Sequence, residues 1–214
     1  MDFQGTLFES VLDAGASTLG DLGCSVRHGL TRGAWVDVRR DWVSGADEVL
    51  ARLVADVPWR AERRQMYDRV VDVPRLVHTY GDAEPLPHPL LDEARDALSA
   101  HYLPELGEPF VTAGCCYYRD GRDSVAWHGD TIGRGSTEDT MVAIVSLGEA
   151  RPLLLRPRSS PGRPGGETLR YVLGHGDLIV MGGTCQRTWE HAVLKTARRV
   201  GPRISVQFRP RGVR

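Results

Sequence analysis

From Pro109 onward the chain is a succession of short apolar or alternating runs cut by glycine, proline and Asp-Gly, a texture that leaves no room for long helices there. Phe110 to Tyr118, Ser124 to Gly129, Met141 to Leu147, Pro152 to Arg156, Thr168 to Leu173, Asp177 to Met181, Ala192 to Lys195 and Arg203 to Arg209 read as strands. Asp120-Gly121 reads as a turn, and Ser159 to Gly166 as a hairpin loop. Many short strands joined in this way predict a sandwich or double-sheet barrel.

The first half is mixed. Thr6 to Leu22 carries a loose helical stripe, Gly33 to Val43 reads as a strand, and Ser44 is the expected N-cap of a helix from Ala46 to Asp56. Val49, Leu50, Leu53 and Val54 share one face of that helix, which Pro58 closes. Ala61 to Tyr80 predicts short strands around a bend at Pro74, Ala83 to Pro89 a loop, and Leu90 to His101 a helix burying Leu91, Ala94, Leu98 and Tyr102. The fold class is therefore mainly β with flanking helices, in a single domain over 1–214. About 1–108 form its N-terminal part and about 109–214 its barrel core.

A chain of 214 residues can bury a core without a metal or disulfides to hold it folded. Cys24, Cys115, Cys116 and Cys185 form no C-x-x-C pair and fit reduced thiols. The N-terminus lacks a signal-peptide pattern, and no apolar run reaches the ~18–20 residues that span a bilayer, so a cytoplasmic protein that avoids membranes is expected. A net charge of −1 excludes a globally basic nucleic-acid binder while leaving room for local patches. Of the 27 basic residues only Lys195 is lysine, a chain-wide bias that deprives any single arginine of meaning without independent support.

Two His-x-Asp pairs occur, His128-Gly129-Asp130 and His175-Gly176-Asp177. In extended backbone, residues i and i+2 project to the same side, so either pair offers an imidazole and a carboxylate together. A distant second histidine would complete the two-His-one-carboxylate arrangement that holds non-haem Fe(II) with open positions. His191 lies 61 residues beyond Asp130 but only 14 beyond Asp177. The second pair also runs straight into the apolar Leu178 to Met181, which suits a turn entering a buried strand. In Arg203 to Arg209, alternation places Arg203, Ser205, Gln207 and Arg209 on one face and Ile204, Val206 and Phe208 on the other. Two arginines on one polar face beside a metal make a carboxylate clamp.

Residues from about Val73 to Pro210 resemble the AlkB family of Fe(II)- and 2-oxoglutarate-dependent dioxygenases. The resemblance is carried by Tyr118-Arg119-Asp120-Gly121 before His128-Gly129-Asp130, by Val145 to Gly148, by Leu173 through Gly182-Gly183 to His191, and by Arg203 through Phe208-Arg209-Pro210. It implies a double-stranded β-helix, or jelly-roll, barrel preceded by a nucleotide-recognition lid, part of which Pro74-Arg75 and Thr79 to Asp82 resemble. By the same resemblance His128, Asp130 and His191 bind Fe(II), Arg203 pairs with the distal carboxylate of 2-oxoglutarate, and Arg209 helps hold its other end. Tyr118 and Ser205 are the remaining cosubstrate contacts, and O2 is the co-oxidant. The implied reaction is oxidative demethylation of N-alkylated bases in DNA or RNA, releasing formaldehyde, succinate and CO2, by a monomer that contacts nucleic acid transiently.

This chain departs from the family pattern in ways that bear on substrate. Cys116 replaces the Asn of an Asn-x-Tyr motif, and Ser205 stands where many members have Asn, so weaker but retained cosubstrate binding is expected. Ile132 stands where many repair members have a carboxylate, and Pro85 to Pro89 replaces an aromatic lid segment. Tyr80, Arg75 and Trp127 are the candidate substrate contacts, Trp127 being equally suited to a core. Arg151, Arg156, Arg158 and Arg163 suit either a phosphate-following cluster or a solvated loop, while Trp35, Trp42 and Trp59 suit the core. Two alternatives stand beside the demethylase: the same chemistry on a protein or small molecule, and a nucleic-acid-binding module with an inactive metal site.

Overall fold

A computed structural model describes residues 16–66, 69–82, 84–159 and 166–213. Strands β1 (Thr18–Leu19), β2 (Val26–Gly29), β3 (Ala34–Arg39) and β4 (Val43–Ser44) precede helix α1 (Ala46–Asp56). The antiparallel pair β5 (Arg60–Met66) and β6 (Arg69–Tyr80) leads to α2 (Pro89–Leu106). Then come β7 (Thr112–Tyr118), β8 (Val125–His128), β9 (Val142–Gly148), β10 (Arg151–Pro157), β11 (Leu169–Leu173) and β12 (Asp177–Gly183). The short helix α3 (Cys185–Thr188) precedes β13 (Trp189–Val193) and β14 (Arg203–Arg209).

An eight-stranded sheet runs β2-β3-β12-β9-β14-β7-β6-β5, and a four-stranded sheet runs β11-β10-β13-β8. Among the described residues they remain separate sheets and do not close into a continuous barrel. Period-two alternation sorts the large sheet's side chains. Val145, Leu147, Val180, Ile204, Val206 and Phe208 pack with Val49 and Leu53 of α1 and Leu91, Leu98 and Tyr102 of α2. On its other face Val142, Ile144, Ile179 and Met181 meet Leu153, Leu155, Leu173 and Val193 of the small sheet. The layers are thus helices, large sheet, small sheet, with the candidate site between the sheets.

Local expectations hold or shift for identifiable reasons. Most of the stripe expected from Thr6 lies outside the described residues, and its end is β1 and not helix. Ser44 belongs to β4, so the N-cap of α1 is Gly45 at φ 65, with no side-chain cap, and Val54 faces solvent. Helix α2 continues beyond His101 through Pro104 to a left-handed Gly107, and begins where His88 Nδ1 accepts from Leu90 N at 3.1 Å ahead of Pro89. The bend expected at Pro74 is a register shift within one long strand, because extra β6 residues bulge between the pairs Asp72↔Arg63 and Leu76↔Ala61. All four cysteines are free.

The pair His175-Gly176-Asp177 builds a turn into β12. Gly176 has φ 83, and a Cβ there would lie 2.4 Å from Val43 O. His175 Nδ1 accepts from Gly148 N at 2.7 Å, while Asp177 accepts from Gly174 N at 2.7 Å and Asp41 N at 3.0 Å.

Candidate active site

Strand β8 is an edge of the small sheet and pairs antiparallel with β13 in a register that sets His128 directly opposite His191. Cross-strand partners hold their side chains close. The two imidazole rings lie 4.3 Å apart at 51°. Asp130 follows two residues after His128 with its Oδ1 3.8 Å from His128 Nε2. One donor atom from each of His128, Asp130 and His191 lies within 4.8 Å of the others.

Surrounding groups orient these donors. His128 Nδ1 is 2.9 Å from Ala126 O, which can only accept, so Nδ1 carries the hydrogen and Nε2 presents its lone pair. Asp130 Oδ2 accepts from Arg209 Nε at 2.6 Å, and Asp130 N donates to Gln186 Oε1 at 3.1 Å. Gly129 lets this loop lie against α3, since a Cβ would stand 2.6 Å from Gln186 O. Burial opposes ionisation of Asp130, yet Arg209 and the imidazoles outweigh it and hold the carboxyl at about 2. Burial, reinforced by neighbouring His128, pushes His191 down to about 3, and burial lowers His128 despite the nearby Asp130. Two neutral imidazoles and a carboxylate are the donor set that suits Fe(II).

Arg203 stands on the inner face of β14, opposite Tyr118 on β7 and 1% exposed. Its Nε donates to Ser146 Oγ at 3.0 Å and its Cζ is 5.2 Å from the Tyr118 ring centre. Nη1 has no hydrogen-bond partner, and the guanidinium makes no ion pair among the described residues. One cavity is lined by Arg203, Tyr118, Ser205, Arg209, His128 and His191, with Val142, Ile144 and Leu153 as apolar wall. A buried cation with an idle N–H, facing a cavity shared with a metal-type donor set, fits a dicarboxylate bridging the two.

Arg75 also lines this cavity, its Nε 3.3 Å from Cys116 Sγ and its Nη1 3.2 Å from Ser124 O. The other expected substrate contacts are not brought there. Tyr80 is packed in the helix-side core, its ring against His78, because β6 turns it away from the small sheet. Trp127 lies half-buried under Arg156, 4.1 Å from ring centre to Cζ, and Arg156 pairs with Glu190. Arg151 is not part of any exposed basic cluster: it is 1% exposed and donates to the carbonyls of Asp120, Asp123 and Leu194. Arg163 lies outside the described residues. Trp42 is fully buried, and Trp35 and Trp59 pack against the same core.

Two glutamines were given no role by sequence reasoning. Gln207 shares the polar face of β14 and lines the cavity, which its alternation could have signalled. Gln186 touches Asp130 only through tertiary folding, and no local pattern marks it.

Two facing sheets enclosing a two-His-one-carboxylate cluster and a buried arginine define a β protein built for a metal ion and a dicarboxylic acid. The chain belongs to the 2OG-Fe(II) oxygenase superfamily, whose family model matches residues 43–209. Membership implies Fe(II), 2-oxoglutarate and O2. Over 79% of its length the chain is 31% identical to human "Alpha-ketoglutarate-dependent dioxygenase alkB homolog 3", spanning 65% of that protein. Over 77% it is 28% identical to human "DNA oxidative demethylase ALKBH2", spanning 68% of it. The chain thus spans just under two thirds of the length of the alkB homolog 3 relatives. Among solved structures, OsALKBH1 aligns over 85% of this chain and all of its own with a TM-score of 0.56 at 13% identity. A 2OG-Fe(II) oxygenase-family oxidoreductase from Burkholderia pseudomallei aligns over 86% of this chain and 87% of its own, at 0.57 and 16%. These likenesses agree with a jelly-roll fold. No helix among the described residues is long and apolar enough to cross a membrane.

Proposed function

We propose that this protein is an Fe(II)- and 2-oxoglutarate-dependent dioxygenase that demethylates N-alkylated bases in DNA or RNA. The observation that carries the reading is that one cavity is lined both by His128 and His191, which with Asp130 form the donor cluster, and by buried Arg203, whose Nη1 has no partner. His128, Asp130 and His191 would hold the metal and Arg203 the distal carboxylate of 2-oxoglutarate, with Tyr118 and Ser205 beside it. Bound iron supplies the oxidising chemistry.

In the overall balance, 2-oxoglutarate, O2 and an N-methyl group become succinate, CO2 and an N-hydroxymethyl group, which then breaks its C–N bond to release formaldehyde and return the proton to nitrogen. The chain's part is positioning and exclusion of water. The apolar wall of Val142, Ile144 and Leu153 screens the cosubstrate, and the Ala126 carbonyl fixes the His128 tautomer. His128 is 39% exposed whereas Asp130 is 4% exposed, so the donor cluster opens to solvent on the His128 side. A base would enter there after leaving its stack, a step that costs less for a damaged pair. Arg75 of β6 also lines this cavity and is the candidate basic contact to the substrate. A nucleic-acid substrate is supported by the likeness to the human demethylase.

The test is formaldehyde release from N-methylated oligonucleotides, with succinate measured in parallel. Matched formaldehyde and succinate are expected. Succinate without product from DNA or RNA would move the substrate to a protein or small molecule. Failure to bind 2-oxoglutarate at all would leave a binding module.

A further inference from the structure

The inner face of β14 carries Gln207 between Ser205 and Arg209, and Gln207 pairs in register with Gly114 of β7. On the β7 side no side chain stands opposite, and the glutamine bonds back along its own strand. A Cβ on Gly114 would lie 3.2 Å from Gln207 Oε1 and 2.9 Å from Arg209 Nη1, tighter than ordinary contact. In the space left by Gly114, Gln207 Nε2 donates to Ser205 Oγ at 2.5 Å and to Ser205 O at 3.2 Å. Its Oε1 accepts from Cys116 Sγ at 3.7 Å.

These bonds have a direction. A backbone carbonyl can only accept, so the amide nitrogen must face Ser205 O, and the Ser205 hydroxyl oxygen then receives a hydrogen. A serine hydroxyl has a single hydrogen of its own, which is left to be given onward. Ser205 and Tyr118 both line the cavity that Arg203 lines. Gln207 therefore donates to Ser205, and the Ser205 hydrogen is left for a group in the cavity that Tyr118 and Arg203 also line.

We propose that Gln207 is a positioning residue for the dicarboxylate cosubstrate, setting the Ser205 hydroxyl as a donor in the cavity it shares with Tyr118 and Arg203. Its amide stands between Cys116 and Ser205 and binds both, in a cavity where neither of those side chains carries an amide. The inference rests on the cosubstrate reading above and adds the residue that orients its pocket.

The experiment is calorimetric titration of 2-oxoglutarate into the Mn(II)-substituted 214-residue chain, with Mn(II) affinity measured separately. Gln207→Leu is expected to weaken 2-oxoglutarate about tenfold, the scale of one hydrogen bond lost when the Ser205 hydroxyl is no longer held as a donor, with Mn(II) affinity unchanged. Gln207→Glu, which keeps the size but can only accept, draws the Ser205 hydrogen away from the cavity and should weaken binding further, and it serves if the leucine variant fails to fold. Unchanged 2-oxoglutarate affinity in the variant that folds would overturn the proposal. So would a parallel loss of Mn(II) affinity, the mark of a merely structural role. Wild-type protein that binds Mn(II) but no 2-oxoglutarate would instead overturn the underlying functional reading, and the inference with it.

Discussion

Arg209 Nε donates to Asp130 Oδ2 at 2.6 Å, with the two side chains 17% and 4% exposed, and this leaves Oδ1 as the oxygen turned toward His128. The resemblance expectation set Arg209 at the second end of the cosubstrate. In the structure its Nε is engaged by the carboxylate of the donor cluster, and Gly114 makes the room for it. Partners that hold a ligand carboxylate typically contribute 10- to 100-fold to metal affinity. Arg209→Met is accordingly expected to weaken Mn(II) binding by about 10- to 100-fold, measured by EPR titration. Wild-type metal affinity in this variant would return Arg209 to a cosubstrate role alone.

Arg203 presents the opposite energetics. A buried guanidinium without a carboxylate partner costs folding energy, which an apolar side chain of similar length avoids. Arg203→Met should therefore leave the ligand-free protein as stable or more stable, and should abolish the rise in melting temperature that 2-oxoglutarate gives the metal-loaded wild type. Thermal unfolding with and without 2-oxoglutarate reads both effects. A destabilised variant that still gains stability from the ligand would place the dicarboxylate elsewhere.

The two His-x-Asp pairs separate cleanly by mutation. His128→Ala and Asp130→Ala are each expected to abolish turnover and metal binding. His175→Ala should retain metal, because its imidazole accepts from the Gly148 amide at 2.7 Å in a turn away from the donor cluster. Its cost is one lost acceptor for a backbone amide, about 1–3 kcal/mol in denaturant unfolding. Metal loss in His175→Ala with His128 dispensable would reverse the assignment.

Arg151 ties together the segments that carry the site. Its donors hold Asp120 O and Asp123 O between β7 and β8, and Leu194 O just past β13. Those strands bear Tyr118, His128 and His191. Arg151→Met orphans all three carbonyls and should cost about 3 kcal/mol or more. For a chain of this length that is a fall in melting temperature of about 6–12 °C, checked by calorimetry. A change within about 1 °C would show that solvent replaces the guanidinium without penalty.

Much of the strand content was legible locally. Arg203 to Arg209 alternates so regularly that its limits and its two faces follow from side-chain polarity, and α1 follows from its apolar spacing and Pro58. The preference for His128 over His175 was also legible, because a turn residue preceding an apolar run has no strand face to offer. Less local features were not. Pro74 signals a break, but only pairing with β5 and β7 shows that the strand absorbs it as a bulge. The arginines of β10 look alike in sequence, yet Arg151 is buried and Arg156 lies over Trp127.

By itself the sequence determined the inventory: two histidines, an aspartate and an arginine face on short strands, in an order that matches one family. Tertiary structure decided who meets whom. Alternation has a period of two, so any even shift of β8 against β13 keeps the same residues facing inward, and only the assembled sheet sets His128 opposite His191. The same holds for Gln207 across from Gly114 and for Arg209 reaching Asp130, contacts set by strand order and by the space a missing side chain leaves.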